Sequence, residues 1–157
     1  MEKTGKAPSG GKPKVYIATK LENHAQHNEL RDLLVERGID LSYDWTAHGP
    51  VWERGEECIR TVANLEARGV LKADLCIVLW PGGRGTHVEM GIAIGAGVPV
   101  LFYSPEPDRH FHAHPDTCAF YHAQGVTRIS AASMTALANY AAQVLREMRL
   151  FELPQPA

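Results

Sequence analysis

Three glycines, an arginine, a threonine and a glutamate crowd into the ten residues Trp80-Pro81-Gly82-Gly83-Arg84-Gly85-Thr86-His87-Val88-Glu89. A buried-type apolar run precedes them and a helical pattern follows. Glycine lets the backbone turn tightly and lets a ligand approach its N–H groups. The N-terminus of the next helix adds partial positive charge and free N–H donors. Gly82, Gly83 and Gly85, with the fork of Arg84 and the hydroxyl of Thr86, form a cradle for a phosphate or a polar sugar. His87 lies in the same segment. Glu89 sits about one turn into the helix and should point to the same rim.

Two plainer readings stay open on spacing alone. Thr86-x-x-Glu89 is also a capping box, in which Glu89 bonds back to the Thr86 N–H. The loop is alternatively a tight strand-to-helix turn and nothing else. A capping box does not require three glycines and an arginine ahead of it, which favours a ligand.

The elements that must position this segment alternate. Val15–Ala18 reads as a first strand and Glu22–Arg37 as a helix with Leu30, Leu33 and Leu34 on one face, closed by Gly38. Ile39–Tyr43 reads as the second strand. Glu53–Glu57 leads into a helix through about Lys72, with Ile59, Val62 and Leu65 as its apolar positions and Gly69 weakening its last turn. Leu75–Trp80 is apolar on both faces, as a central parallel strand should be. Thr86–Ala96 is a helix, Val98–Tyr103 a buried strand, Pro105–Cys118 a long loop, Val126–Ile129 an edge strand and Ala132–Arg149 a closing helix. This βαβ spacing predicts an α/β fold, a flavodoxin- or Rossmann-like three-layer sandwich of about five parallel strands in the order 2-1-3-4-5. Ligands in such sheets bind beyond the carboxyl ends of the strands. That places Thr19, Lys20, Asp44 and Trp45 on the rim with Pro81–Glu89. Trp45 is a candidate to stack on a base or else a core residue; Trp52 and Trp80 read as core.

The 157 residues suffice for one domain, with 45% hydrophobic and 22% charged residues. Residues 1–13 read as a disordered leader, 14–150 as the domain and 151–157 as a tail. The net charge of -2, with no basic block, argues against long nucleic acid as a partner. No apolar run approaches the roughly 20 residues that span a bilayer. Three scattered cysteines, Cys58, Cys76 and Cys118, suggest reduced thiols in a cytoplasmic protein. His110, His112 and His114 alternate, but no partner motif stands at zinc spacing, so no metal and no cofactor are expected.

The pattern Pro-Gly-Gly-x-Gly-Thr-x-x-Glu over Pro81–Glu89 resembles the motif of the "lonely guy" phosphoribohydrolases, which cleave the N-glycosidic bond of nucleoside 5′-monophosphates. From about Val15 to Phe102 the layout resembles the nucleoside 2-deoxyribosyltransferase-like family, which includes deoxynucleotide N-hydrolases. Its marks are Val15-Tyr16-Ile17-Ala18, Ala73-Asp74 before the central strand, and Glu89-Met90-Gly91. That resemblance implies Glu89 as the nucleophile on C1′, Tyr16 as the residue that orients it and Glu66, where the family usually has aspartate, as the group that handles the base. It also implies assembly as a homodimer or larger. The chain departs from the family at Gly83, where the transferases carry an acidic residue and the nucleotide hydrolases a serine, and at Thr19-Lys20-Leu21 after the first strand. It also lacks the second glycine-rich loop of the lonely-guy enzymes.

The expected activity is N-glycosidic cleavage of a nucleoside 5′-monophosphate or nucleoside, with Lys20, Arg84 and Thr86 holding the phosphate. Base exchange by a deoxyribosyltransferase, a non-catalytic nucleotide sensor and a TIR-like NAD-cleaving enzyme are the alternatives.

Overall fold

The computed structural model describes residues 11–148. Five strands, β1 (Lys14–Ala18), β2 (Asp40–Leu41), β3 (Leu75–Leu79), β4 (Val100–Tyr103) and β5 (Val126–Ile129), form one sheet in the order β2-β1-β3-β4-β5. Every pair is parallel. The helices are α1 (His24–Glu36), α2 (Glu56–Lys72), α3 (Arg84–Ala96), the single turn α4 (Pro107–His110) and α5 (Met134–Glu147).

Strand side chains alternate between the two faces of the sheet, and the core divides accordingly. Val15, Ile17, Leu75, Ile77, Leu79, Leu101 and Tyr103 pack with Leu30 and Leu34 of α1 and Leu137, Ala138, Ala141 and Leu145 of α5. Tyr16, Ala18, Cys76, Val78, Val100 and Phe102 pack on the other face with Val70 of α2 and Met90 and Ala93 of α3. The result is the three-layer sandwich that the alternation of strands and helices requires.

Several boundaries move from their sequence expectation for local reasons. β2 keeps only two residues, because the chain turns away where Asp44 caps a short 3-10 turn, Trp45–Ala47, by accepting from the Thr46 N–H. The first helix is preceded by a separate 3-10 turn, Leu21–Asn23. α2 starts after Gly55, whose φ of 90° separates it from the 3-10 turn Trp52–Arg54. α5 starts after Ser133, whose hydroxyl accepts from the Ala136 N–H; Arg149 lies outside the described residues, as do most of the expected leader and the whole expected tail.

The face of α2 is also corrected. Val62 is buried, but Ile59 and Leu65 are 42% and 40% exposed. The helix meets the sheet through Gly69 and Val70 at its C-terminal end, while Ile59, Val62, Ala63 and Glu66 line a cavity. Trp52, expected in the core, is 61% exposed, and Trp80 is half-buried against the His110 ring at 4.3 Å between centroids. Among the described residues no helix is long and apolar enough to cross a membrane.

Candidate active site

The β3–α3 connection decides which way Glu89 points. α3 begins at Arg84, two residues earlier than its sequence pattern indicates, with Gly83 as the N-cap. Thr86 is then the third helical residue, and its Oγ1 accepts from the Gly83 N–H at 3.0 Å. This contact occupies the place that a Thr86–Glu89 capping box would need. Glu89 falls in the second turn, too far along to cap anything. Its side chain turns toward the sheet, where the Tyr16 hydroxyl donates to Glu89 Oε1 at 2.6 Å.

Tyr16 reaches Glu89 because of Gly69. A Cβ on Gly69 would lie 2.6 Å from Tyr43 Cβ and 3.0 Å from Tyr16 Cε2. The glycine of α2 thus lets the helix press against the Tyr16 ring, which is fully buried.

Glu89, Glu66, Thr19, Lys20, Trp45, Gly83, Gly85 and Thr86 line one cavity of about 370 Å³, within the range of small-molecule sites. Burial pushes the Glu89 carboxyl up to about 8; the Tyr16 hydrogen bond opposes this rise and the charge of Glu66 adds to it. Burial also raises Glu66, with His48 pulling against the rise. Tyr16 is held far above the phenol range, first by burial and then by the charge of Glu89. Glu89 therefore senses Glu66, and both carboxyls favour the protonated form more than a solvated glutamate does.

Thr19 ties the two strand ends together. Its hydroxyl meets the Leu79 and Pro81 carbonyls at 3.0 and 3.1 Å and accepts from Asn23 Nδ2 at 3.0 Å. The Lys20 N–H also donates to the Pro81 carbonyl. Together they fix the loop after β3 against the loop after β1. Gly82 is packed under Thr86, whose Cγ2 lies 3.0 Å from where a Cβ would stand.

Besides Tyr16, four predicted positions lie outside the cavity lining. Arg84 is exposed. His87 donates through Nδ1 to the Gly83 carbonyl at 2.8 Å and accepts from the Tyr121 hydroxyl at 2.8 Å. Asp44 pairs with Arg31 at 2.9 Å and with Thr46. Gly82 is structural, as just described. Trp45 does line the cavity, but it is 6% exposed and its Nε1 donates to the Ile17 carbonyl at 2.9 Å.

The structure adds His48, Val51, Trp52, Ile59, Val62 and Ala63 to the wall. The α2 members stand at i, i+3, i+4 and i+7, a spacing that reads equally as a core face. His48 belongs to no motif. Among the described residues no group of three or more His, Cys, Asp or Glu is placed to hold a metal; His110 is instead buried and bonded to Ser104 at 2.6 Å.

The family model of the nucleoside 2-deoxyribosyltransferases matches residues 15–145. The chain belongs to that family. No curated protein matches it. Among solved structures, it resembles BlsM, determined in solution, with a TM-score of 0.61 at 13% identity, over 94% of this chain and all of that one (100%). It also resembles the Clostridium botulinum CMP N-glycosidase BcmB, with a TM-score of 0.53 at 17% identity, over 83% of this chain and 98% of that one. At these identities the likeness is one of fold. The family member described here thus carries its buried glutamate and tyrosine in an α/β sandwich shared with at least one N-glycosidase.

Proposed function

We propose that the protein cleaves the N-glycosidic bond of a nucleoside 5′-monophosphate or nucleoside, with Glu89 as nucleophile. The observation that carries this reading is the Tyr16–Glu89 hydrogen bond at the wall of an open cavity. A merely structural glutamate would cap its helix or pair with a cation. This one is buried, faces a cavity and is oriented by a phenol.

The chemistry follows from the two carboxyls. A Glu89 carboxylate oxygen bonds to C1′ as the C1′–N bond breaks, and the bonding pair leaves with the base. Glu66, whose proton burial holds more tightly than a solvated glutamate holds its own, gives that proton to the departing base nitrogen. The glycosyl ester on Glu89 is then attacked by water at C1′. Glu66 takes the proton of that water, the ester oxygen leaves as the Glu89 carboxylate, and configuration is retained overall. The transition states are oxocarbenium-like, so negative charge on Glu89 stabilises them. Tyr16 donates to the reacting carboxylate; it holds Glu89 in place and favours its ionised form.

Lys20 and the N-terminal turn of α3 at Gly83, Gly85 and Thr86 supply positive potential at one side of the cavity. This supports a 5′-phosphate as part of the substrate, without the help of Arg84. Family membership supports a second reading, base exchange, in which an incoming base replaces water at the glycosyl ester.

The test is chromatography of purified protein with ribo- and deoxyribonucleosides and their 5′-monophosphates, with and without a second free base. Released base identifies the hydrolase, and a new nucleoside identifies the transferase. Neither product from any substrate, together with an E89Q variant indistinguishable from wild type, would remove the enzyme reading.

A further inference from the structure

We propose that Trp52 is the platform on which the nucleobase of the substrate stacks. This inference rests on the nucleotide reading of the cavity and extends it to the base.

A single exposed hydrophobic residue is ordinary on a protein surface. Trp52 differs in its setting. It is 61% exposed, yet it lines the same cavity as Glu89. The wall beside it is apolar: Val51 from its own loop, and Ile59, Val62 and Ala63 from α2. The loop after β1 and the first turn of α3 contribute Lys20, Gly83, Gly85 and Thr86 to the same cavity. In the proposed pose, with C1′ at Glu89 and the phosphate on Lys20 and the first turn of α3, the base goes to the apolar residues of α2 and the turn before it. Flat, weakly hydrated bases gain most from an aromatic face there.

The other indole of the wall is already committed, while His48 keeps one buried ring nitrogen, Nε2, without a hydrogen-bond partner. Trp45 is sealed in the core by its bond to the Ile17 carbonyl and by edge contact with His27 at 4.8 Å. His48 donates through Nδ1 to the Gly49 carbonyl at 3.0 Å. Trp52 is the large aromatic left with accessible surface. Its turn is braced: Arg54 donates to the His48 carbonyl at 3.0 Å, and its N–H bonds to the Val51 carbonyl at 3.0 Å. Gly49 and Gly55, at φ of 61° and 90°, bound the segment and permit backbone conformations that other residues resist. The indole is thus presented from a defined turn. Every base has a π-face, so this contact contributes affinity and little choice among bases.

Two measurements test it. Titration of the E89Q variant with nucleoside 5′-monophosphates should quench tryptophan emission, and the E89Q/W52F double variant should lose most of that quenching. Ribose 5-phosphate, which has no base, should produce little in either. In steady-state cleavage, W52A should raise KM roughly tenfold or more, by more than any fall in kcat, and W52Y should restore most of the loss. Binding and base release that are indifferent to W52A and W52F would overturn the stacking role while leaving the glycosidase reading intact. Absence of nucleotide binding and base release in the wild type would overturn both.

Discussion

Replacing Glu89 with glutamine should stabilise the protein while ending turnover, and the gain should grow with pH. Glu89 is 8% exposed, and its carboxyl is pushed from an ordinary 4.5 up to about 8. The folded protein therefore holds this proton more tightly than the unfolded chain does. Between those two values the unfolded state binds fewer protons, so stability falls as pH rises. Below pH 4.5 the effect is absent, and above pH 8 it is complete. At pH 7 the carboxyl has lost about 3 kcal/mol relative to a group that never ionises, and the upper limit above pH 8 is about 5 kcal/mol. Glutamine keeps an oxygen that accepts from Tyr16 but has its own burial penalty, which leaves a net gain of about 2 kcal/mol at pH 7. Urea denaturation of wild type and E89Q at pH 5, 7 and 8.5 reads this directly. The difference in stability should be less than about 1 kcal/mol at pH 5 and should widen steadily. Groups that do not sense Glu89 titrate alike in both proteins and cancel. A gap that does not change with pH, or an E89Q protein less stable than wild type at pH 8.5, would refute the picture of a carboxylate desolvated for catalysis.

The neighbours of Glu89 extend the same logic. In wild type, kcat/KM should rise with pH through about 8, where Glu89 ionises; a rate that is flat over this range counts against Glu89 as the nucleophile. Tyr16→Phe removes the hydrogen bond that favours the ionised form, so the rising limb should move to higher pH and kcat/KM at pH 7 should fall about tenfold or more. Gly69→Ala should destabilise by roughly 1–3 kcal/mol from overpacking, despite the better helix propensity of alanine, because the new Cβ meets Tyr43 and Tyr16; thermal melting and activity should fall together. Thr86→Val leaves the Gly83 N–H without its acceptor and should lower stability by about 1 kcal/mol, measurable as a reduced melting temperature.

The layers of this fold were readable because the strands announce themselves. Leu75–Leu79 is buried at every position, and a run apolar on both faces has only one place in a parallel sheet. The order of strands follows from the spacing of elements and the short connections between them. Less was legible where tertiary contacts overrule local pattern. The α2 positions Ile59 and Leu65 look like a core stripe, yet that helix meets the sheet through Gly69 and Val70, turns Ile59 to the cavity and leaves Leu65 exposed. Trp52 has the composition of a core residue, and only its 3-10 turn after Val51 places it at a rim. Arg84 has the chemistry of a phosphate ligand, but as the first helical residue it faces outward.

The fate of Glu89 shows why spacing alone could not settle the site. Thr86 and Glu89 stand three apart in either reading, and a shift of two residues in where the helix begins decides between them. That start depends on Gly83 serving as N-cap and on Thr86 taking its N–H, a contact set by how the loop packs under Thr19 and the ends of β1 and β3. Once Thr86 fills the third helical position, Glu89 lies too far along the helix to cap it, and its carboxyl accepts from the Tyr16 phenol on β1. The strand-end threonine, the glycine N-cap and the glycine of α2 thus act together. They hold a carboxylate away from the helix end it would otherwise cap and leave it buried at the wall of the cavity, where the proposed mechanism needs it.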